Sequence, residues 1–556
     1  MKENKFKILK YIIYILFGVY SILMIKARTY LLDGGIMGGE FLKYFMPFIF
    51  LIVLNRLLLI IDAKISEYNY NLLKTNNELS LMNKFNHLPV SLLETPEIKN
   101  LYDACFNESD YKRKLINSNA VILKNLIIIL GSIFILFMYN KLFAFSILVF
   151  VLALIIMEHF SLKKAGDIWS HYRANMRRAN YYSNVMINSS FLSERKIFRS
   201  TPFFNKKFVK EFSYATKKNQ KLGIGRFIRD FLYEFLFIAL IIFYILFFTK
   251  TTNKVVSIGL FLSLFYQLIE MKFNIGELVL SYFDYKTEKI IDDKFSDFLN
   301  LKEESEGDKN LERINSIEFC DVYFSYPNSD REILKGVSFK LEGKSYGLVG
   351  ENGSGKSTIT KLMMGLYTPT KGNIFINGLD ISEFKKESLK EQISIVVQNS
   401  HHYPATLLEN LDFLSTANLD EDLAKSLGID KIIEKLPEGI NTNLSGISKD
   451  AVSLSGGEWQ RVGIMRSLLK DAGFYILDEP NALLDPISEA KMYLKYYEIL
   501  KGKISLLISH RLGATSQMDQ IIVLKDGKIY AIGNHEELMQ KDYYRNLYNT
   551  QKEMYL

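Results

Sequence analysis

The pattern of apolar and polar positions divides this chain of 556 residues into two unlike halves. Long apolar runs dominate up to about residue 275, and from about residue 312 short apolar runs alternate with turns and helical patterns. Because a helix needs about 20 apolar residues to cross about 30 Å of hydrocarbon, the first half predicts membrane-spanning helices. The predicted spans are 8–26, 44–62, 118–139, 142–160, 227–249 and 255–275.

The connectors between these six spans alternate in length, and only 63–117 and 161–226 are long. If the basic N-terminus lies in the cytoplasm, both long connectors and the C-terminal half lie there too. A block of lysines and arginines, from Lys163 to Lys221, falls in the second long connector. Positive charge marks the cytoplasmic side of membrane spans, which explains this block better than nucleic-acid binding does. We therefore expect a multi-pass protein of the plasma membrane, surrounded by lipids, with no nucleic-acid partner.

The second half predicts an α/β domain. Short β-like runs such as KSYGLVG, GFYILDE and ISLLIS are separated by helical patterns, which favours a largely parallel sheet. The charged stretch 293–312 loses the apolar runs and predicts a linker, so the expected domains are 1–292, 293–312 and 313–556. Cys105 and Cys320 stand in unrelated contexts and support neither a disulfide framework nor a cysteine metal site.

The motif GENGSGKST matches the phosphate-binding pattern G-x-x-x-x-G-K-[ST]. It follows an apolar strand and precedes a helical stretch, the context in which backbone N–H groups at a helix N-terminus bind phosphates. Lys356 is expected to reach the β- and γ-phosphates of ATP, and the Ser357 hydroxyl to ligate Mg²⁺. The predicted nucleotide-binding residues of this loop are Gly350, Asn352, Gly353, Ser354, Gly355, Lys356, Ser357 and Thr358.

A second motif, FYILDEP, ends an apolar run with two carboxylates. Asp478 is positioned to hold Mg²⁺, as enzymes with this phosphate-binding loop require. Glu479 is predicted to be the base that orients or deprotonates the attacking water. A strand that ends in Asp-Glu is a weak signal by itself and becomes specific only when it is paired with the loop.

With these motifs, the signature LSGGE at Leu454–Glu458 and His510 in SLLISHR, the chain resembles the ATP-binding cassette (ABC) transporters. The six predicted spans resemble the exporter class whose membrane and ATPase domains are fused. The implied fold is an all-α six-helix transmembrane domain followed by an α/β P-loop NTPase domain of ABC type. The resemblance also implies a dimer in which Ser455, Gly456 and Gly457 of one subunit contact the γ-phosphate held by the other; a homodimer is expected, and a heterodimer with a related chain stays open.

Further residues take their roles from the same resemblance. Tyr326 matches the aromatic residue that stacks on adenine, and a core tyrosine is the structural alternative. Gln398 matches the glutamine that senses Mg²⁺ and the attacking water, His510 the switch histidine at the γ-phosphate, and Asp485 the aspartate of the loop that joins the two nucleotide sites. The departures from the family are Ala482, Leu483 and Lys449, and the expected coupling helices lie near 86–105 and 191–212.

Ionisable residues inside membrane spans tend to face a cavity or a partner. Glu234 and Glu270 predict a cavity for a cationic or amphipathic substrate. Pairing of these carboxylates with Arg56 or Lys272 inside the helix bundle is an equal alternative. Asp230 is a further charge on the same predicted helix as Glu234. Trp459 after the signature resembles exporters of ribosomally made peptides, which favours a peptide substrate. A lipid or multidrug exporter has the same architecture. A soluble ABC ATPase without transport function is a remote alternative, because the chain has membrane spans.

Overall fold

The computed structural model describes most of the chain, in ten stretches. These are residues 2–36, 41–139, 141–251, 258–327, 329–397, 401–413, 420–444, 451–479, 496–509 and 512–554. The chain divides into two compact units. The first unit contains Met1–Lys84 and Asn100–Leu301, and the second contains Phe85–Lys99 and Lys302–Leu556.

The first unit is helical. Its described helices are α1 (Lys2–Tyr30), α2 (Phe41–Asn86), α4 (Pro96–Asn107, which begins in the second unit), α5 (Tyr111–Tyr139), α6 (Lys141–Ile187), α7 (Leu192–Ile197), α8 (Thr201–Thr251) and α9 (Ile258–Leu299). Among the described residues, Asn4–Gly34, Leu42–Asn86 and Tyr111–Met138 are long and apolar enough to cross a membrane. Helices α2, α6 and α8 have 46, 47 and 51 residues, so each is longer than a bilayer requires.

The helices of this unit pack through small and apolar side chains. An apolar cluster joins α5, α6, α8 and α9, with Leu136, Ile147, Phe237 and Met271 among its buried members. Close helix approach through small residues is a common way to associate helices in lipid. Helices α1 and α5 pack tightly at two glycines, since a Cβ on Gly131 would lie 2.3 Å from Ile22 and one on Gly18 would lie 2.8 Å from Ile127.

The second unit contains two sheets. The six-stranded sheet has the order β10-β9-β3-β8-β7-β6 and is parallel except for the last hairpin, β9–β10. Its strands are β3 (Ser345–Val349), β6 (Ile393–Val396), β7 (Phe474–Asp478), β8 (Ile504–Ile508), β9 (Gln520–Lys525) and β10 (Lys528–Gly533). The strands β3, β6, β7, β8 and β9 are mostly buried and form the parallel sheet that the sequence predicts, whereas the edge strand β10 is largely exposed.

A second, antiparallel sheet of four strands was not predicted from the sequence. It has the order β2-β1-β4-β5, formed by β1 (Ser316–Ser325), β2 (Glu332–Glu342), β4 (Lys371–Ile376) and β5 (Leu379–Asp380). One apolar core joins this sheet to β3 and to helix α10 (Lys356–Met363). Helix α3 (Val90–Leu93) belongs to the same unit, with Val90 packed against that core.

The remaining described α-helices of the second unit are α11 (Lys386–Glu391), α12 (Leu407–Leu411), α13 (Glu421–Leu427), α14 (Ile429–Lys435), α15 (Gly456–Leu469), α16 (Leu512–Thr515), α17 (His535–Met539) and α18 (Asp542–Met554). Of these helices, α11 contributes Leu389 to the core of the antiparallel sheet and β3, and the others lie outside it. A second apolar cluster joins α12 to α15 with β6, β7 and β8, and a third packs α16, α17 and α18 on β3 and β9. The carboxyl ends of the parallel strands, where ligands bind in open α/β sheets, are therefore supported from both sides.

Candidate nucleotide site

The phosphate-binding loop runs from the end of β3 to the start of α10 through backbone conformations that only glycine adopts easily. Gly353 has φ +80° and Gly355, the N-cap of α10, has φ +109°, both in the left-handed region. A Cβ on Gly350 would lie 2.3 Å from the carbonyl oxygen of Leu524. The buried hydroxyl of Ser354 has no hydrogen-bond partner among the described residues. Such a cradle of backbone N–H groups with an orphan hydroxyl at a helix N-terminus fits a phosphate group.

Lys356 is folded back into the loop that it is predicted to serve. Its Nζ donates hydrogen bonds to the carbonyl oxygens of Gly350 at 2.7 Å and Glu351 at 3.0 Å. Burial lowers the pKa of Lys356, and the nearby carboxylates of Glu479 and Asp478 oppose that shift. The electrostatic contact places the strand-end carboxylates and the loop lysine in one site.

The two carboxylates lie at the carboxyl end of β7, which is separated from β3 by β8 alone. Asp478 is the last residue of the strand, and Glu479 follows in the left-handed region at φ +47°. The backbone N–H of Glu479 donates to the carbonyl oxygen of Ile508 on β8 at 2.9 Å, which holds this turn. A non-glycine residue in this conformation is strained, and such strain clusters at functional sites.

Tyr326 lies in an aromatic group beside the loop. Its hydroxyl is 3.1 Å from Oγ1 of Thr358, and its ring packs edge-on against Phe324 and Tyr367. The Nζ of Lys361, on α10, lies 5.1 Å from the ring centre. The proximity to Thr358 agrees with a place at the nucleotide, although the adenine stacking itself stays a prediction.

The signature turn forms the N-terminus of α15. Ser455 is the N-cap, and its Oγ accepts from the backbone N–H of Glu458 while the Glu458 carboxylate accepts from the backbone N–H of Ser455 at 2.9 Å. These hydrogen bonds lower the pKa of Glu458. Ser455 and Gly456 are exposed, so this helix N-terminus is presented to the surroundings rather than buried in its own domain.

Trp459, whose place after the signature favours a peptide substrate, is a buried packing residue of the second unit. Its ring stacks in parallel on His402 at 4.3 Å with an interplanar angle of 7°. Burial lowers the pKa of His402, with the positive groups of His401 and Arg466 contributing in the same direction. The side chain has no direct part in substrate recognition, so its bearing on the substrate rests on the family resemblance alone.

Several predicted residues lie outside the described part of the chain. They are Gln398, Asp485 and His510, together with Ala482, Leu483 and Lys449. The other predicted site residues lie at three places, which are the phosphate-binding loop with its neighbour Tyr326, the end of β7, and the N-terminus of α15. Of the described residues, Ser357 and Asp478 offer the hydroxyl and carboxylate oxygens that Mg²⁺ prefers.

In the membrane unit, the structure corrects part of the predicted cavity. Glu234 on α8 forms an ion pair with Lys272 on α9, which is the alternative to a free acidic lining. Glu270 lies within electrostatic range of Arg28, whose guanidinium stacks over the Tyr266 ring at 3.8 Å. Glu234 therefore takes the pairing with Lys272 that the sequence left open as the alternative, and a role of Glu270 in a substrate cavity stays a prediction.

The sequence pattern did not identify Glu94 and Tyr367, which contact each other beside Tyr326. The two residues are 273 positions apart, and neither belongs to a motif with a fixed spacing. Only an observed contact could have joined them.

A family model described as ABC transporter matches residues 334–482. The subtilin transport ATP-binding protein SpaT of Bacillus subtilis is 29% identical and covers 83% of this chain and 77% of its own length. The nisin transport ATP-binding protein NisT of Lactococcus lactis subsp. lactis is 29% identical over 85% of this chain and 81% of its own.

Two further similarities concern the ATPase and the fold. The ATP-dependent lipid A-core flippase of Haemophilus ducreyi is 37% identical over 46% of this chain and 45% of its own length. A solved structure of a bacterial Atm1-family ABC exporter with ATP bound superposes with a TM-score of 0.82 over 98% of both chains, at 21% identity. At that identity the likeness shows a shared fold.

Proposed function

We propose that this chain, which is an exporter half-transporter of the ABC family with fused membrane and ATPase domains, works as a homodimer that exports a peptide. Its membership, its ATPase activity coupled to transport and its place in the plasma membrane follow from the fold and the matches to known transporters. The dimer composition, the substrate and the residue roles are the proposal. The observation that carries the dimer is that one domain contains both a complete phosphate-binding loop and an exposed signature turn.

The ATPase chemistry is assigned to residues of the described site. The N–H groups around Gly353 and Gly355 bind the phosphates of ATP, and Lys356 turns from its backbone contacts to the γ-phosphate. Glu479 holds the attacking water in line and accepts its proton. Mg²⁺, when bound by Ser357, Asp478 and Gln398, would neutralise charge on the transferred phosphoryl group.

A dimer is proposed because the family resemblance pairs the signature turn of one subunit with the phosphate held by the other. Ser455 and Gly456 expose a capped helix N-terminus, which is a favourable anion site. The second connector also exposes Ile197 and Phe198, with 74% and 75% of their surface accessible. Such apolar side chains, exposed on a cytoplasmic connector, suit docking onto the ATPase domain of a second copy.

A peptide is proposed over a lipid because of how far each similarity extends. SpaT and NisT, named for the transport of subtilin and nisin, match 83% and 85% of this chain, which must include much of its membrane half. The flippase match, although higher in identity, covers 46%. A lipid exporter is the second candidate, favoured by that higher identity in the matched part.

The decisive test of the ATPase proposal is Glu479→Gln. The purified variant, reconstituted in nanodiscs, should bind ATP, keep two subunits associated and hydrolyse ATP at less than about 1% of the wild-type rate, as loss of a positioned base implies. Wild-type-like hydrolysis would remove Glu479 from its assigned role. A wild-type protein that hydrolyses ATP equally well as a separated monomer would contradict the shared site.

The substrate is tested separately with wild-type protein in liposomes. Cationic lantibiotic-type peptides with and without leader, lipid A, and hydrophobic dyes are compared for stimulation of ATPase activity and for uptake into inside-out vesicles. We expect stimulation by a peptide. Stimulation by lipid A alone would favour the second candidate.

A further inference from the structure

The first cytoplasmic connector is built into the ATPase unit. Residues Phe85–Lys99 group with Lys302–Leu556, while α2 belongs to the first, membrane-spanning unit as far as Lys84 and enters this segment with its last two residues. Val90 packs against the main core of the ATPase unit, and the carbonyl oxygen of His87 accepts from the backbone N–H of Glu304 at 3.0 Å. The connector therefore holds a defined position on the domain that binds nucleotide.

Glu94, which ends helix α3, makes the polar contacts of this connector with the nucleotide side. The Tyr367 hydroxyl donates a hydrogen bond to Oε2 of Glu94. The Nζ of Lys361 lies 3.9 Å from Oε1 of the same carboxylate. Burial raises the pKa of Tyr367, and the bond to Glu94 raises it further, so this hydroxyl stays protonated and keeps donating at neutral pH.

Both partners of Glu94 also contact Tyr326. The Tyr367 ring meets the Tyr326 ring edge-on at 5.5 Å and 87°, and Lys361 lies 5.1 Å from the centre of the Tyr326 ring and 5.4 Å from that of Tyr367. Lys361 is on α10, the helix that begins with Lys356 of the phosphate-binding loop. One carboxylate of the connector thus touches two side chains that flank the proposed adenine contact.

We propose that Glu94 is a positioning residue that reports the occupancy of the adenine site to the membrane helices. When a base stacks on Tyr326, the ring is restrained, and the edge contact with Tyr367 and the ammonium of Lys361 are restrained with it. Glu94 then holds the connector in one position, and α2 follows because it ends at Asn86, eight residues before Glu94. This inference rests on the proposed function, since it assumes that ATP binding drives the membrane domain.

The relay differs from simple docking in one respect. A contact that only holds the connector in place would matter equally whether or not Tyr326 is intact. A contact that acts through Tyr326 must lose its effect when the ring is removed, because coupled groups show non-additive changes. The experiment therefore measures the pair rather than Glu94 alone.

The test uses the full-length dimer in nanodiscs, in a Cys105→Ala, Cys320→Ser background. A spin label is attached through Leu42→Cys, an exposed position at the outer end of α2. The change in distance between the two labels is followed during titration with MgAMP-PNP, and binding of the same nucleotide is measured in parallel by displacement of a fluorescent ATP analogue. The variants are Glu94→Ala, Glu94→Gln, Tyr326→Leu and the Glu94→Ala, Tyr326→Leu pair, with the exposed Glu97→Ala on the same connector as the matched control.

For Glu94→Ala we expect nucleotide binding within about twofold of wild type and a half-closure concentration raised about fivefold, which corresponds to the roughly 1 kcal/mol that one hydrogen bond contributes net. Glu94→Gln keeps an acceptor for Tyr367, so its half-closure concentration should lie between those of wild type and Glu94→Ala. Glu97→Ala should match wild type. The Glu94→Ala, Tyr326→Leu pair should shift the half-closure concentration no more than Tyr326→Leu alone. Closure like wild type in Glu94→Ala, a parallel loss of binding and closure, or additive shifts in the pair would each overturn the relay. A wild-type protein that shows no nucleotide-driven distance change would instead refute the proposed function itself.

Discussion

Gln551, on the C-terminal helix α18, holds the chain just after the predicted switch histidine. Its Oε1 accepts a hydrogen bond from the backbone N–H of Leu512 at 2.8 Å. Leu512 begins α16, is buried against α18, and follows His510 by two residues in the sequence. We expect Gln551→Ala to loosen this segment and so to misplace His510, while the phosphate-binding loop keeps its own contacts.

The size of the effect follows from the one bond that is removed. A hydrogen bond between protein groups contributes about 0.5–1.5 kcal/mol net, and more when it leaves a buried N–H without a partner. If this energy is lost from the transition state, about 1 kcal/mol corresponds to roughly a fivefold lower kcat. Gln551→Glu keeps an acceptor oxygen at the same position and should recover most of the rate.

The assay is steady-state ATP hydrolysis by the full-length dimer in nanodiscs, with kcat and KM determined separately. We expect a kcat lowered about three- to tenfold with KM for ATP within about twofold, because an interaction made only in the transition state affects kcat. The matched control is Asn549→Ala, which removes an exposed amide from the same helix. An unchanged kcat in Gln551→Ala, an equal loss in Asn549→Ala, or no recovery in Gln551→Glu would refute this role of Gln551.

Two further predictions concern stability, both measured by thermal unfolding in nanodiscs. Lys10, only 1% exposed, forms an ion pair with Asp62 at 2.5 Å between α1 and α2. Lys10→Met should therefore destabilise the protein by about 3–5 kcal/mol, and adding Asp62→Asn should restore most of that stability. Equal stability of the single and double variants would contradict a buried pair. Burial raises the pKa of Glu288, in the cytoplasmic part of α9, to about 7 from 4.5. The folded protein therefore retains a proton that the unfolded chain releases, and stability falls as pH rises between these values. Glu288→Gln should gain stability relative to wild type, by roughly 1–2 kcal/mol, as pH is raised from 5 to 8; a pH-independent difference would refute the shift.

The features predictable from the sequence are those that neighbouring residues encode. An apolar run long enough for a bilayer, a glycine-rich loop between strand and helix, and two carboxylates after an apolar strand each depend on residues within about 25 positions. The parallel order of β3, β8 and β7 then brings Lys356 close to Asp478 and Glu479, as the motifs predict.

Tertiary structure decided the features that join distant segments. The antiparallel sheet β2-β1-β4-β5 escaped prediction because its short strands resemble those of a parallel sheet until their partners are known. The ion pair between Glu234 and Lys272 depends on how α8 packs against α9, and apolar periodicity does not determine which charges meet. The contact of Glu94 with Tyr367 bridges 273 positions, a separation over which no local propensity acts. The sequence by itself determined the chemistry of the ATP site, and packing decided which charged and aromatic side chains connect that site to the rest of the chain.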